Sequence, residues 1–244
     1  METVTAVIFD LDGTLLNTLE DLAQSCNQAL SLYNYPPRTI DEVRGFVGNG
    51  LGVLMEKALP QGKSNPHYTE ALESLRDFYA RNWKNTTRPY DGVLSLISTL
   101  NERGIKTGIV SNKPDAQVKE LVALYFKGLI DLYAAVGEKE RDGIRRKPAP
   151  DSVFSVMDVL GASAAHTVYV GDSDVDIITA KNAGIPCVSV CWGFRSRDFL
   201  LDHGATVFAE KPHDILGLVS SPESLALQTC APLPYSDSSL EPKT

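Results

Sequence analysis

The chain opens on an uninterrupted apolar run, Ala6-Val7-Ile8-Phe9, that meets two acids, Asp10 and Asp12, and then Gly13. A short continuous apolar run ending in a turn residue predicts a strand buried on both faces. The period then changes. Leu19, Leu22, Ala23, Ala29 and Leu30 follow a helical repeat over residues 17–32, with Glu20 and Asp21 near its start. Tyr35-Pro36-Pro37 stops that helix, and residues 39–60 read as two helices split at 45–50. Asn65-Pro66 reads as an N-cap followed by proline at the first helical position, opening a helix to about residue 85. Residues 17–85 thus carry a helical pattern and no strand pattern.

From residue 86 the pattern alternates. Val93, Leu94, Ile97 and Leu100 form a helical stripe that Gly104 stops. A strand is expected over 105–110, leading into Ser111-Asn112-Lys113, then a helix over 114–126 and a short strand over 133–136. After a charged stretch to Lys147-Pro148 come a helix over 151–160, a strand over 166–170 and Gly171-Asp172-Ser173-Asp174-Val175-Asp176. A helix stopped at Gly184 and strands over 186–190 and 206–209 complete the series. Strands alternating with helices imply βαβ units and a parallel sheet. The expected fold is therefore α/β, a Rossmann-like doubly wound parallel sheet built from residues 1–16 and 86–219. A helical block, 17–85, is inserted after its first strand. Residues 220–244, rich in proline and serine, read as a mobile tail.

Composition narrows the partners. A net charge of −8 argues against nucleic acid and against an anionic membrane surface. No stretch approaches the length of a membrane span, and no leader pattern opens the chain, so a cytoplasmic protein is expected. Cys26, Cys187, Cys191 and Cys230 have no zinc spacing and read as reduced thiols. A small phosphorylated metabolite remains compatible with an acidic chain, acting on a monomer or homodimer.

Asp10 and Asp12 lie where the first strand leaves the sheet, the edge at which open α/β sheets bind ligands. Ser111-Asn112, Lys147 and Asp172/Asp176 fall at or just past the ends of other strands. Parallel strands bring those ends to one edge, so these residues can meet in one cleft. Carboxylates gathered there repel each other. A divalent cation relieves that repulsion, and an all-oxygen donor set without clustered His or Cys suits Mg²⁺. Ser111 and Asn112 offer neutral donors to phosphate oxygens, and Lys147 a compact cation. Plainer readings stand beside these. Asp12-Gly13 makes a turn and Thr14 a helix cap. Asp174 reads as a first-turn helix charge, a reading also open to Asp176. Lys113 reads as solvent-facing. Gly48-Asn49-Gly50 reads as a helix–helix turn that also faces the cleft. Trp83 and Trp192 read as packing, and His67, His166, His203 and His213 have no ligand spacing.

Asp10-Leu11-Asp12-Gly13-Thr14, Ser111-Asn112, Lys147-Pro148 and the 171–176 segment stand in the order of the haloacid dehalogenase-like hydrolases. The chain resembles the phosphoglycolate-phosphatase type within that superfamily, over residues 4 to about 215. The resemblance implies a Mg²⁺-dependent hydrolase of small phosphate monoesters. Asp10 would be the nucleophile and Asp12 the acid and base. Mg²⁺ would be held by Asp10, the Asp12 carbonyl and Asp172, with Asp176 and Thr14 behind them. Lys147, Ser111 and Asn112 would hold the phosphoryl group. The helical block resembles a C1-type cap, with Gly48, Asn49 and Gly50 reaching the substrate and Arg44 a candidate for a second anionic group. Three alternatives remain. A β-phosphoglucomutase-like phosphosugar mutase is disfavoured, because the first cap helix lacks the His and Lys that the resemblance leads one to expect. A pyrophosphatase or nucleotidase is another, and a non-catalytic binding protein the third.

Overall fold

The computed structural model describes residues 3–139 and 143–221. Strand β1 (Ala6–Phe9) is buried along its whole length, because it has a parallel neighbour on each side. These are β4 (Lys106–Pro114) and β6 (Thr167–Gly171). With β5 (Ala135–Glu138), β7 (Cys187–Val190) and β8 (Phe208–Ala209) they form a six-stranded sheet, in the order β5-β4-β1-β6-β7-β8. All its pairings are parallel. The chain winds outward from β1 through β4 to β5, then returns to the other side of β1 at β6. The order therefore reverses at β1, and the carboxyl ends of β1, β4 and β6 border the crevice where such sheets bind ligands.

The alternation of β1 assigns the two faces. Val7 and Phe9 join one apolar cluster with α5 (Val93–Glu102), α6 (Asp115–Tyr125) and α10 (Asp214–Ser220). Ala6 and Ile8 join the other with α7 (Asp151–Leu160) and α8 (Asp174–Ala183). A sixth helix, α9 (Arg197–Asp202), lies between β7 and β8.

The first of these clusters continues into the helical block: α1 (Leu19–Ser31), α2 (Ile40–Phe46), α3 (Gly50–Ala58) and α4 (Tyr68–Asn82). Helix α4 buries Ala71, Leu75 and Tyr79, one residue per turn. Both chain crossings between block and sheet run through a two-stranded antiparallel ribbon, β2 (Leu16–Asn17) with β3 (Arg88–Pro89). Asp21 ties this stem together. It accepts from the backbone N–H and hydroxyl of Thr86 at 3.0 and 2.7 Å, and from those of Thr87 at 2.9 and 2.9 Å.

Several boundaries depart from the sequence pattern for local reasons. Helix α4 begins at Tyr68, because Asn65 turns its side chain to the His67 N–H (2.9 Å) and to Tyr35 instead of capping at Pro66. Strand β4 runs on through Ser111, Asn112 and Lys113 to Pro114. Residues 132–134 form a 3₁₀ turn, held by Asp131 accepting from the Tyr133 N–H, so β5 starts only at Ala135. Of the tail expected over 220–244, Ser220 closes α10, and the residues beyond Ser221 lie outside the described residues. Among the described residues no helix is long and apolar enough to cross a membrane.

Candidate active site

Asp10 is the first residue past β1, and its N–H donates to the Val170 carbonyl at 2.8 Å, which fixes its backbone at the switch point. Its carboxylate meets the Lys147 ammonium at 2.7 Å. Lys147 also meets Asp176 at 2.7 Å. Asp10, Asp172 and Asp176 bring carboxylate oxygens within 4.8 Å of one another, all buried.

The three acids are not equally satisfied. Asp176 has both oxygens engaged. Oδ1 accepts from Lys147 and from the Tyr169 hydroxyl (3.1 Å), and Oδ2 from the N–H and hydroxyl of Ser173. The Ser173–Asp176 pair is a capping box, so Asp176 starts α8 and supports Lys147 at once. Asp172 accepts from the Phe194 N–H at 2.7 Å on Oδ2, but on Oδ1 has only a long 3.4 Å contact from Thr14. Two glycines make room for it. Gly13 has a φ of +90°, and a Cβ there would sit 2.3 Å from Asp172 Oδ2. A Cβ on Gly193 would sit 2.3 Å from the Asp172 Cβ.

One ammonium among three buried carboxylates leaves the cluster negative. Burial, then Asp176 and Asp172, raise the Asp10 carboxyl well above its ordinary range, with Lys147 pulling it back. Burial and Asp176 push Asp172 up to about 7, against the relief from the Phe194 N–H and Lys147. Lys147 is also shifted upward, which for an amine favours the charged form. Burial disfavours its ammonium, but Asp10 and Asp176 outweigh burial and hold it protonated. An excess of buried oxygen charge next to a half-satisfied Asp172 fits a hard divalent cation.

A cavity of about 860 Å³ opens beside the cluster. Asp10, Asp12, Ser111, Asn112, Lys113 and Lys147 line its sheet side, and Val47, Gly48, Gly50, Leu54, Arg76 and Tyr79 line its helical side. Ser111 accepts from the Lys113 N–H at 3.2 Å, which leaves its own hydroxyl proton to donate elsewhere. Asn112 is engaged at both ends of its amide. Oδ1 accepts from the Lys147 N–H (2.9 Å), and Nδ2 donates to the Lys147 carbonyl (3.1 Å). Asn112 thus fixes the backbone that carries Lys147, and it also reaches the Gly48 carbonyl at 3.4 Å. Gly48 and Gly50 border the cavity, whereas Asn49 is not among the described lining residues. Arg44 is turned away. Its guanidinium pairs with Asp41 at 2.7 Å on the exposed side of α2, while its carbonyl accepts from Arg195 at 2.8 Å. Trp192, one residue before Gly193, donates its indole N–H to the Thr14 carbonyl at 3.0 Å.

Lys113 corrects a reading made from the pattern. It is not solvent-facing: its side chain is 4% exposed, 3.0 Å from Asp12 Oδ2, and it donates to the Tyr79 hydroxyl at 2.6 Å. Strand β4 runs on to Pro114 with an irregular register after Val110, and Ser111, Asn112 and Lys113 all line the cavity. Tyr79, Ser173, Tyr169 and Phe194 also escaped the sequence reading. Only Ser173, three residues before Asp176, and Tyr79, four after Leu75, leave a detectable spacing.

A parallel sheet with two acids at the switch strand, a buried lysine between acids and a helical insertion after β1 defines a class. The chain belongs to the haloacid dehalogenase-like hydrolases, whose pattern matches residues 7–190. It is 30% identical over 246 residues to the phosphoglycolate phosphatase of Pseudomonas fluorescens, spanning 97% of this chain and 85% of that one. The phosphoglycolate phosphatase of Haemophilus influenzae is 33% identical over 195 residues, spanning 77% of this chain and 85% of the relative. A solved structure of a candidate phosphoglycolate phosphatase from Lactobacillus delbrueckii subsp. bulgaricus superposes with a TM-score of 0.84 at 34% identity. That superposition covers 89% of this chain and 98% of the other.

Proposed function

We propose that this protein is a Mg²⁺-dependent phosphatase. It hydrolyses a small phosphate monoester, of which 2-phosphoglycolate is the leading example, through an aspartyl phosphate on Asp10. The observation that carries the reading is the Asp10 carboxylate. It lines the cavity, is held at 2.7 Å by Lys147, and is grouped with two further buried acids.

An Asp10 oxygen attacks phosphorus and the ester P–O bond breaks, with the electron pair leaving on the alkoxide. Asp12 gives that alkoxide its proton. It then takes a proton from the water that attacks the phosphorus of the aspartyl phosphate, which frees phosphate and restores the Asp10 carboxylate. Asp10, Asp172 and the Asp12 carbonyl would hold Mg²⁺, whose charge lowers the repulsion between a carboxylate and an anionic phosphate. Lys147 orients Asp10 and shares the phosphoryl charge, and Asp176 and Asn112 hold Lys147 in place. The Ser111 hydroxyl donates to a phosphate oxygen.

The balance of charge on the cavity wall supports a cation in the reaction. Its acidic members (Asp10, Asp12, Asp77, Asp115, Glu138) equal its basic members (Arg76, Lys113, Lys139, Arg146, Lys147) in number, so a dianionic ester meets little net attraction from side chains. The helical block, residues 17–85, acts as a cap over the core of residues 1–16 and 86–219. It excludes water from the first step and sets the size of the substrate. A panel of phosphorylated metabolites assayed for free phosphate, with and without Mg²⁺, tests the reading. Mg²⁺-dependent release, fastest from small phosphorylated acids, is expected. No release from any ester in the presence of Mg²⁺ would refute it.

A further inference from the structure

Asp12 is half-buried, and its two carboxylate oxygens are served unequally. Oδ2 is taken by the Lys113 ammonium at 3.0 Å, while Oδ1 is buried with no hydrogen-bond partner among the described residues. A buried bare carboxylate oxygen is costly and calls for an explanation. Lys113 is itself held from the opposite side of the cavity. It donates to the Tyr79 hydroxyl at 2.6 Å and lies 4.6 Å from the centre of the Tyr79 ring. Tyr79 belongs to α4, in the helical block, and Lys113 to β4, in the sheet. A three-residue chain, Tyr79–Lys113–Asp12, therefore crosses from the inserted helices to the carboxylate beside Asp10.

The chemistry of each link suits transmission. The Lys113 ammonium has two partners on different elements, the Asp12 carboxylate and the Tyr79 hydroxyl. Burial pushes the Tyr79 hydroxyl up to about 12, with Lys113 opposing, so it stays a neutral phenol that accepts from the ammonium. An ammonium rotates freely about its stem, and it takes a fixed direction here because two partners on different elements pin it.

We propose that Lys113 and Tyr79 are positioning residues for proton transfer by Asp12. The helical block, through Tyr79, holds Lys113, and Lys113 holds Asp12 by one oxygen, with the other left for the proton. This inference rests on the acid–base role proposed above for Asp12. It adds that the role depends on a side chain of the inserted helices, so proton transfer is engaged only when the block sits over the sheet. Movement of the block away from the sheet separates Tyr79 from Lys113 and frees Asp12 to turn.

Leaving-group dependence separates positioning from mere structure. An acid matters for an alkoxide leaving group and little for p-nitrophenolate, which departs without a proton. The constant kcat/KM reports only the steps through departure of the alcohol, so the later water attack does not enter it. We therefore compare kcat/KM for the alkyl phosphate that is turned over fastest with that for p-nitrophenyl phosphate. Lys113→Met is expected to lower the alkyl value at least about tenfold more than the p-nitrophenyl value. Tyr79→Phe, which removes one hydroxyl, is expected to give the same selectivity to a smaller degree, and Lys113→Arg to restore part of it. Lys113→Met added to Asp12→Asn is expected to give no further selective loss.

Equal losses on both esters in Lys113→Met and Tyr79→Phe, with Asp12→Asn selective, would overturn the inference and make Lys113 a phosphate-binding or structural cation. An unselective Asp12→Asn would instead overturn the role of Asp12. If Lys113→Met does not fold, as judged by circular dichroism, Tyr79→Phe decides alone.

Discussion

Asp10 and Asp21 are both buried aspartates on the path from the first strand into the helical block, and they live in opposite surroundings. Asp21 meets four donors from Thr86 and Thr87, all at or below 3.0 Å, and no other acid among its described partners. Asp10 shares a single ammonium with Asp176, and Asp172 stands beside it. The first arrangement lowers the free energy of the fold by closing the stem where two chain segments cross. The second raises it. Burial and like charges disfavour the Asp10 carboxylate, and under the proposed function the fold retains it for what it does with a cation and a phosphate. Burial alone does not distinguish a structural acid from a functional one; the count of donors against acids does.

The contrast breaks most visibly at Asp10. Asp10→Asn replaces the proposed carboxylate nucleophile with a neutral amide and is expected to lower turnover about a thousandfold or more. Its melting temperature should equal or exceed the parent's, because the substitution relieves repulsion. Phosphate release and thermal melts on the same sample check both halves, and near-parental activity would remove Asp10 as nucleophile. The same change at the stem should act in reverse. Asp21→Asn is expected to cost about 3 kcal/mol, since donors are left without an anionic acceptor, or roughly 10 °C in Tm for a chain of this size. Activity measured well below the melt should persist. An unchanged melting curve would erase the difference between the two acids.

A pH series sharpens the comparison. Asp172 is pushed up to about 7 in the metal-free protein by burial and Asp176, against about 3.9 in an unfolded chain. Between about pH 4 and pH 7 the native state therefore keeps a proton that the unfolded state has released, and stability falls as pH rises through that window. Asp10 contributes in the same direction. Mg²⁺ favours the ionised carboxylates, so the rise in Tm on adding it should grow from about pH 5 to about pH 8. A Mg²⁺ shift that is flat across this range would contradict the cluster's role as a cation site. The smallest effect is expected at the stem. Thr87→Val removes one of Asp21's donors and should cost about 1 kcal/mol, read as a small fall in Tm with no change in kcat/KM.

Most of the fold was legible because its strands are short apolar runs and its helices repeat every three to four residues. Ala6 to Phe9 is apolar at every position, which marks a strand covered on both faces, and the block between residues 17 and 85 keeps a helical period throughout. The ribbon of Leu16–Asn17 with Arg88–Pro89 was not legible, since two-residue strands carry no period. In the site, Asp10, Asp172, Asp176 and Lys147 stood out as acids and a cation at predicted strand ends. The work of Asp21 did not stand out, because an acid in a first helical turn already has a sufficient explanation in the helix dipole. Lys113 was misread for a related reason. It follows Asn112 just before a proline, where a strand was expected to have ended, and only its extension to Pro114 puts Lys113 beside Asp12. The Phe194 N–H that holds Asp172 leaves no trace in side-chain chemistry at all.

The most direct test of the account is to quench the enzyme in acid during turnover of an activated phosphate ester with Mg²⁺, and to map the modified peptide by mass spectrometry. The account predicts one phosphoryl group on the peptide carrying Asp10, removable by hydroxylamine as an acyl phosphate and absent in Asp10→Asn. Continued turnover with the phosphoryl group on another residue, or with none trapped in the parent and in Asp12→Asn alike, would contradict it.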